Sequence, residues 1–195
     1  MTDVCQLAEQ LWNGAADVAE YHPLLVQVPE GQEIAPGVLF YKGLASANTI
    51  DTGDGLVMLD TGAVVDTSRL FDAVRRWRPD TRLAAAVFSH HHADHVFGVG
   101  PFEREAEEKR WPRPLVYAHA GVAAAFDRYK KTLGWNTAIN IRQFALPLER
   151  FRWQENYRYP DVHYHDRMAI RAGEITLELN HGLGETDDAT WTWIP

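Results

Sequence analysis

The stretch FSHHHADHVFGVG, residues 88–100, places four of the chain's nine histidines and one aspartate within six positions, directly after the apolar run LAAAVF. A short run that is apolar at every position reads as a strand buried on both faces, the kind found inside a parallel sheet. Loops at the ends of such strands are where a rigid scaffold presents reactive groups. Imidazole nitrogen and carboxylate oxygen together suit Zn²⁺ or Fe²⁺. The spacing His90-x-His92-x-Asp94-His95 lets His90 and His92 converge on one ion and displaces Asp94 and His95 towards a second. His91 stands at an x position and is not counted as a ligand; its replacement by alanine is expected to leave metal affinity nearly intact.

Outward from this loop the chain alternates strand and helix signals. GVLFYKG, LASANTID and GLVMLDTG read as short strands, the last two joined as a hairpin by DTGDG. DTSRLFDAVRRWRPD reads as a helix with Asp66 as its N-cap and Leu70, Val74 and Trp77 on one face. PFEREAEEKR begins another helix and LVYAH is a further strand. AGVAAAFDRYKKTLG is a helix with Gly134 as its stop. An N-terminal helix is expected over residues 1–23, capped by Thr2 or Asp3 and blocked by Pro23. Residues 135–160 show no clean period, and MAIRAGEITLELNHG and ATWTWIP read as strands. Strands interleaved with helices indicate a layered α/β domain. It is expected to span residues 1–195, with 1–36 as N-terminal helix and lead-in and 37–195 bearing the motifs.

Bulk properties narrow the function. The chain has 195 residues, 46% hydrophobic content and a net charge of -8. That length supports one substantial core, and the acidic balance argues against a nucleic-acid partner. The single cysteine, Cys5, cannot form an internal disulfide and is expected to be structural. Neither a secretory leader nor a membrane-spanning stretch is read, so the expected location is the cytoplasm.

A second constellation, NHGLGETDD, puts His181 after a strand, where it would be another ligand, with Gly182 and Gly184 allowing a close turn. His90-x-His92-x-Asp94-His95, preceded by LDTG at residues 59–62 and followed by His181-x-x-Gly184-x-Thr186, resembles the metallo-β-lactamase-fold hydrolases. The tail GETDDATWTWIP most resembles the branch near the alkyl sulfatases. The resemblance implies an αββα sandwich with a metal site along one edge. It implies His90, His92 and His181 on one metal, Asp94 and His95 on another, and Asp60 supporting the site. Family members normally continue past this point, so the C-terminal strands and helices of the sandwich are expected to be missing. Asp187, Asp188, His119, His163 and His165 are the candidates to complete the second position.

A metal open to water generates hydroxide near neutral pH, with Asp94 orienting the water or accepting its proton if it is not itself a ligand. The expected function is a zinc-dependent hydrolase with one or two ions, acting on a small molecule with an ester-like bond. Sulfate esters come first, then thioesters, lactones or lactams. The alternatives are an iron-dependent dioxygenase of the same fold and a non-catalytic metal-binding fragment, with a homo-oligomer or a missing C-terminal portion as partner. Between Trp135 and Tyr164, Phe144, Phe151, Trp153, Tyr157 and Tyr159 interleave with Arg142, Arg150, Arg152 and Arg158. They form either the wall of a groove for an anionic, apolar-tailed substrate or ordinary core and contact surface.

Overall fold

The computed structural model describes residues 3–21, 28–146 and 152–195. Thr2, Pro23, Arg150 and Phe151 lie outside the described residues. The apolar run is strand β5 (Leu83–Val87), parallel to β4 (Leu56–Leu59) on one side and β6 (Leu115–His119) on the other. Side chains alternate across a strand, so Leu56 and Met58 enter one core while Val57 and Leu59 enter another. In the same way Ala86 and Phe88 face the first core, and Ala85 and Val87 the second. That is why the run carries no polar position.

β1 (Val28–Ala35), β2 (Val38–Lys42) and β3 (Ser46–Asp51) precede β4 as an antiparallel meander, and β7 (Val162–Tyr164) closes a seven-stranded sheet in chain order. The parallel steps are bridged by helices. These are α2 (Thr67–Trp77), α3 (Gly100–Lys109), and the pair α4 (Gly121–Lys131) and α5 (Leu133–Phe144). Leu70 and Val74 of α2, Phe102 of α3 and Phe126 of α4 pack with Leu56, Met58 and Val116 in the first core. On the opposite face lies an antiparallel sheet of β8 (Arg167–Ala172), β9 (Ile175–Gly182) and β10 (Ala189–Trp193). Its Ile170, Leu177 and Leu179 meet Ile50, Val57, Val87 and Tyr164 in the second core. Helices, large sheet and small sheet form successive layers around the expected interleaved pattern.

Three local expectations need correction. The first helix, α1, covers only Val4–Trp12; Asp3 caps it by accepting from the Gln6 amide, and Gly14 turns the chain at φ 75°. It buries only Leu7, so its packing contributes roughly what one such side chain does, about 1.5–3 kcal/mol. Cys5 on this helix is exposed, not part of the core. Gly134 is no stop, because α4 ends at Thr132 and the chain turns straight into α5. α5 has no apolar stripe and buries only Asn136, so its sequence carries no period to read.

Asp66 precedes α2 but makes no side-chain cap. Its carboxylate accepts instead from the Leu44 amide at 2.8 Å and from the Tyr41 hydroxyl at 3.4 Å, tying the β2–β3 turn to the start of α2. A Cβ at Gly43 would lie 2.3 Å from Asp66 Cγ. Gly43→Ala is therefore expected to destabilise the fold by about 1–3 kcal/mol, the usual effect of forcing atoms into a packed site. A urea-unfolding midpoint equal to that of the parent protein would contradict this. No helix among the described residues is long and apolar enough to cross a membrane.

Candidate metal centre

Leaving β5 at Phe88, the chain turns through residues 89–95 beside the end of β4, and Asp60 organises that turn. It sits at φ 57°, a left-handed conformation uncommon outside glycine. Its carboxylate accepts the Ser89 amide at 2.7 Å, the Ser89 hydroxyl at 2.7 Å and His95 Nδ1–H at 2.8 Å. Ser89 Oγ also lies 2.8 Å from His90 Nδ1. Because the hydroxyl proton is committed to Asp60, the oxygen accepts from His90 Nδ1–H. Both imidazoles are thus held in the tautomer that leaves a lone pair on Nε2, the arrangement by which a supporting carboxylate prepares a histidine ligand.

The His90 ring is 6% exposed, and its Nε2 is buried without a hydrogen-bond partner. An unpaired buried polar atom costs about 1–3 kcal/mol, which a bound cation would offset. This lone pair faces Glu185 Oε2 at 3.8 Å, and Glu185 Oε1 lies 3.2 Å from His92 Nδ1. Zinc takes nitrogen and oxygen at about 2.0–2.2 Å, so two ligand atoms on one tetrahedral ion stand roughly 3.3 Å apart. Donor type and spacing both fit a divalent ion. Among the described residues, His90, His92 and Glu185 are the one group of three ligand-type side chains converging in this way. Asp94 Oδ2 lies 3.5 Å from His95 Nε2, a second pair at ligand spacing. The rings of His90 and His95 are 4.4 Å apart, so the two positions adjoin.

The local electrostatics separate these histidines. Burial, followed by the neighbouring His95 and His92, pushes the His90 pKa down and favours the neutral, ligating form. Burial also pulls on His95, but the hydrogen bond and charge of Asp60 outweigh it and leave that pKa raised.

The structure does not bring His181 to this group, contrary to the expectation from the sequence. His181 lies within β9, paired with Thr190 of β10. Alternation therefore places it on the face of Leu177 and Leu179. Its ring stacks on His119 with centroids 4.1 Å apart, and its Nε2 is 2.9 Å from the Asp187 carbonyl oxygen. The third place falls to Glu185, in the loop between β9 and β10, which the sequence reading passed over. The candidate substitutes do not join either. Asp188 is buried against His91, His119 accepts the Gly121 amide at Nδ1, and the His165 ring is 6.2 Å from that of His119. His163 and Asp187 are exposed.

The aromatic stretch after α4 divides between surface and core. Tyr157 and Tyr164 are buried in the first and second cores respectively. Trp153 donates to the Tyr157 hydroxyl at 2.8 Å. Arg158 is committed to Glu103 and Asp161, each at 2.6 Å. Trp135 and Phe144 are exposed on α5. For Tyr157, Tyr164 and Arg158 the packing reading holds, and the groove reading does not.

Comparison with known proteins agrees with this fold. The metallo-beta-lactamase superfamily model matches residues 42–194. An (R)-specific secondary-alkylsulfatase from Pseudomonas sp is 39% identical over 80 residues, 40% of this chain and 12% of that protein. A linear primary-alkylsulfatase from Pseudomonas sp. (strain ATCC 19151) is 40% identical over 60 residues, 31% of this chain and 11% of that protein. The matches thus span about an eighth or less of those relatives. Among solved structures, the sec-alkylsulfatase Pisa1 from Pseudomonas sp. superposes with a TM-score of 0.63 at 19% identity, covering 85% of this chain and 29% of that one. A HARLDQ-motif mutant of the Cronobacter sakazakii metallo-beta-lactamase superposes with a TM-score of 0.61 at 21% identity, covering 87% of this chain and 59% of that one. At these identities the superpositions establish the fold.

Proposed function

Because this chain belongs to the metallo-beta-lactamase superfamily, we propose that it is a zinc-dependent hydrolase. In this reading His90, His92 and Glu185 hold one ion, and Asp94 with His95 begins a second position. The observation that carries the reading is the buried, unpartnered Nε2 of His90 facing Glu185. Two histidines and a glutamate form a known catalytic zinc set that leaves coordination positions open. When bound, a divalent ion there supplies Lewis acidity and a hydroxide nucleophile near neutral pH. In this reading Asp94 orients the attacking water or takes its proton when it is not itself a ligand. Asp60 and Ser89 keep His90 and His95 in their ligating tautomers.

Sulfate esters with an alkyl tail are the proposed substrates. The alkylsulfatase relatives support this choice, as do exposed apolar side chains on the two loops that carry Asp60 and Glu185. Val64 and Val65 stand on the first loop, and Leu183, 86% exposed, stands two residues before Glu185. Exposed apolar side chains on loops that carry site residues suit a ligand with an apolar body. Lys42 adds a cation within electrostatic reach of Asp94. The test is release of inorganic sulfate from medium-chain alkyl sulfates by tag-free protein, stripped with chelator and reloaded with zinc, beside thioester, lactone and lactam panels. Zinc-dependent sulfate release is expected; turnover confined to another panel would reassign the substrate.

Two histidines and one carboxylate are also the ligand set of non-haem iron(II) oxygenases. This donor set favours that second reading over other redox alternatives. Elemental analysis separates the two, since zinc has no redox chemistry. Zinc binding without turnover on any panel would favour a non-catalytic role.

A further inference from the structure

His91 is the histidine of the cluster that the metal reading leaves unused, yet it is 5% exposed and fully engaged. Its Nδ1 lies 3.0 and 2.8 Å from the two oxygens of Asp188, itself 1% exposed. Its Nε2 lies 3.2 Å from Nη2 of Arg128 on α4. A guanidinium can only donate, so Nε2 accepts and the proton sits on Nδ1, donated to Asp188. Neither nitrogen is left for an ion.

Asp188 ends the loop that carries Glu185. Thr186 donates to the same carboxylate, and the Thr190 amide donates to the Ser89 carbonyl at 2.6 Å. A Cβ at Gly121, the first residue of α4, would come within 2.9 Å of Asp188 Cβ, so the loop is pressed against the start of that helix. Glu185 itself is 68% exposed at its side chain, and its position comes from the anchored segment that follows it. The loop is thus bolted to the same turn that presents His90 and His92.

We infer that His91 is a positioning residue: through its hydrogen bond to Asp188 and its contact with Arg128 it seats Glu185 opposite His90 and His92. This rests on Glu185 being a ligand. On this inference His91→Ala weakens metal binding, where the sequence reading expects affinity to stay nearly intact.

The test is zinc affinity, by competition with a chromophoric chelator, for the parent protein, Glu185→Gln, His91→Ala, His91→Asn and the double variant His91→Ala with Glu185→Gln. His91→Ala should weaken zinc binding by about 10–100-fold, the range for lost supporting hydrogen bonds, and Glu185→Gln, which changes a ligand, by at least as much. His91→Asn, which keeps a donor near the Nδ1 position, should recover most of the loss. In the Glu185→Gln background His91→Ala should have no further effect, because its action passes through Glu185. The cobalt(II) visible spectrum of His91→Ala should take the form given by Glu185→Gln. Asp188→Asn, which keeps the volume, reads the same link should alanine at position 91 unfold the protein. An unchanged affinity in His91→Ala, or an equal loss in both backgrounds, overturns the positioning role while leaving the ligand assignment intact. An unchanged affinity in Glu185→Gln overturns both.

Discussion

His90→Ala removes tight zinc binding, lowering affinity by more than the roughly hundredfold that marks the upper end for changes to supporting groups. His90 supplies the buried lone pair, and no other described side chain stands ready to replace it. His92→Ala is expected to follow closely, since His92 Nδ1 is the atom 3.2 Å from Glu185. The metal-free fold should tolerate the loss of His90 better than a typical core truncation, because the variant also removes an unpaired buried nitrogen. Isothermal titration with zinc, alongside thermal unfolding of the stripped proteins, measures both quantities. Parent-like affinity in His90→Ala would refute the assignment.

The second large effect is expected from Asp60→Asn. The wild-type carboxylate accepts three protons, two from Ser89 and one from His95. An amide of the same shape has one accepting oxygen and one donating nitrogen. Whichever way it turns, a donor meets a donor at Ser89 or at His95. If the mismatch falls on His95, the ring relieves it by moving its proton to Nε2, which blocks the ligand atom opposite Asp94. In that orientation the nitrogen also faces the Ser89 hydroxyl, which loses the acceptor that sets the His90 tautomer; in the other it meets the Ser89 amide, and the turn that presents His90 must shift to part the two donors. Zinc affinity should therefore fall by about 10–100-fold although Asp60 touches no ion. The cobalt(II) spectrum should change along with it. A variant that loses only stability, with cobalt spectrum and zinc affinity intact, would show Asp60 to be structural.

Much of this architecture is legible in the residues. The uninterrupted apolarity of residues 83–88 marks a strand buried on both faces, and the strand is found with a core on each side. The DTGDG turn marks the β3–β4 hairpin. The histidine-rich loop stands where a strand-end loop should, and LDTG delivers Asp60 beneath it. Other features were hidden for physical reasons. α5 lies on the surface with no apolar stripe, so periodicity could not reveal it.

His181 drew attention because histidine is the commoner ligand, while Glu185 looked like an ordinary charged loop residue. Strand alternation carried the missing signal. Leu177, Leu179 and His181 share a parity that points into the sandwich, whereas Glu185 lies beyond the strand's end, where a loop can reach across. His91 was set aside for its place in the spacing. Its partner Asp188 lies 97 positions away, and nothing local announces such a contact.

Anomalous diffraction at the zinc edge, from crystals of tag-free protein soaked with zinc, tests the metal centre most directly. A peak bonded to His90 Nε2, His92 Nδ1 and the Glu185 carboxylate is the expected result, with any second peak beside Asp94 and His95. A principal peak on the stacked pair His119 and His181, with Glu185 turned away, would contradict it.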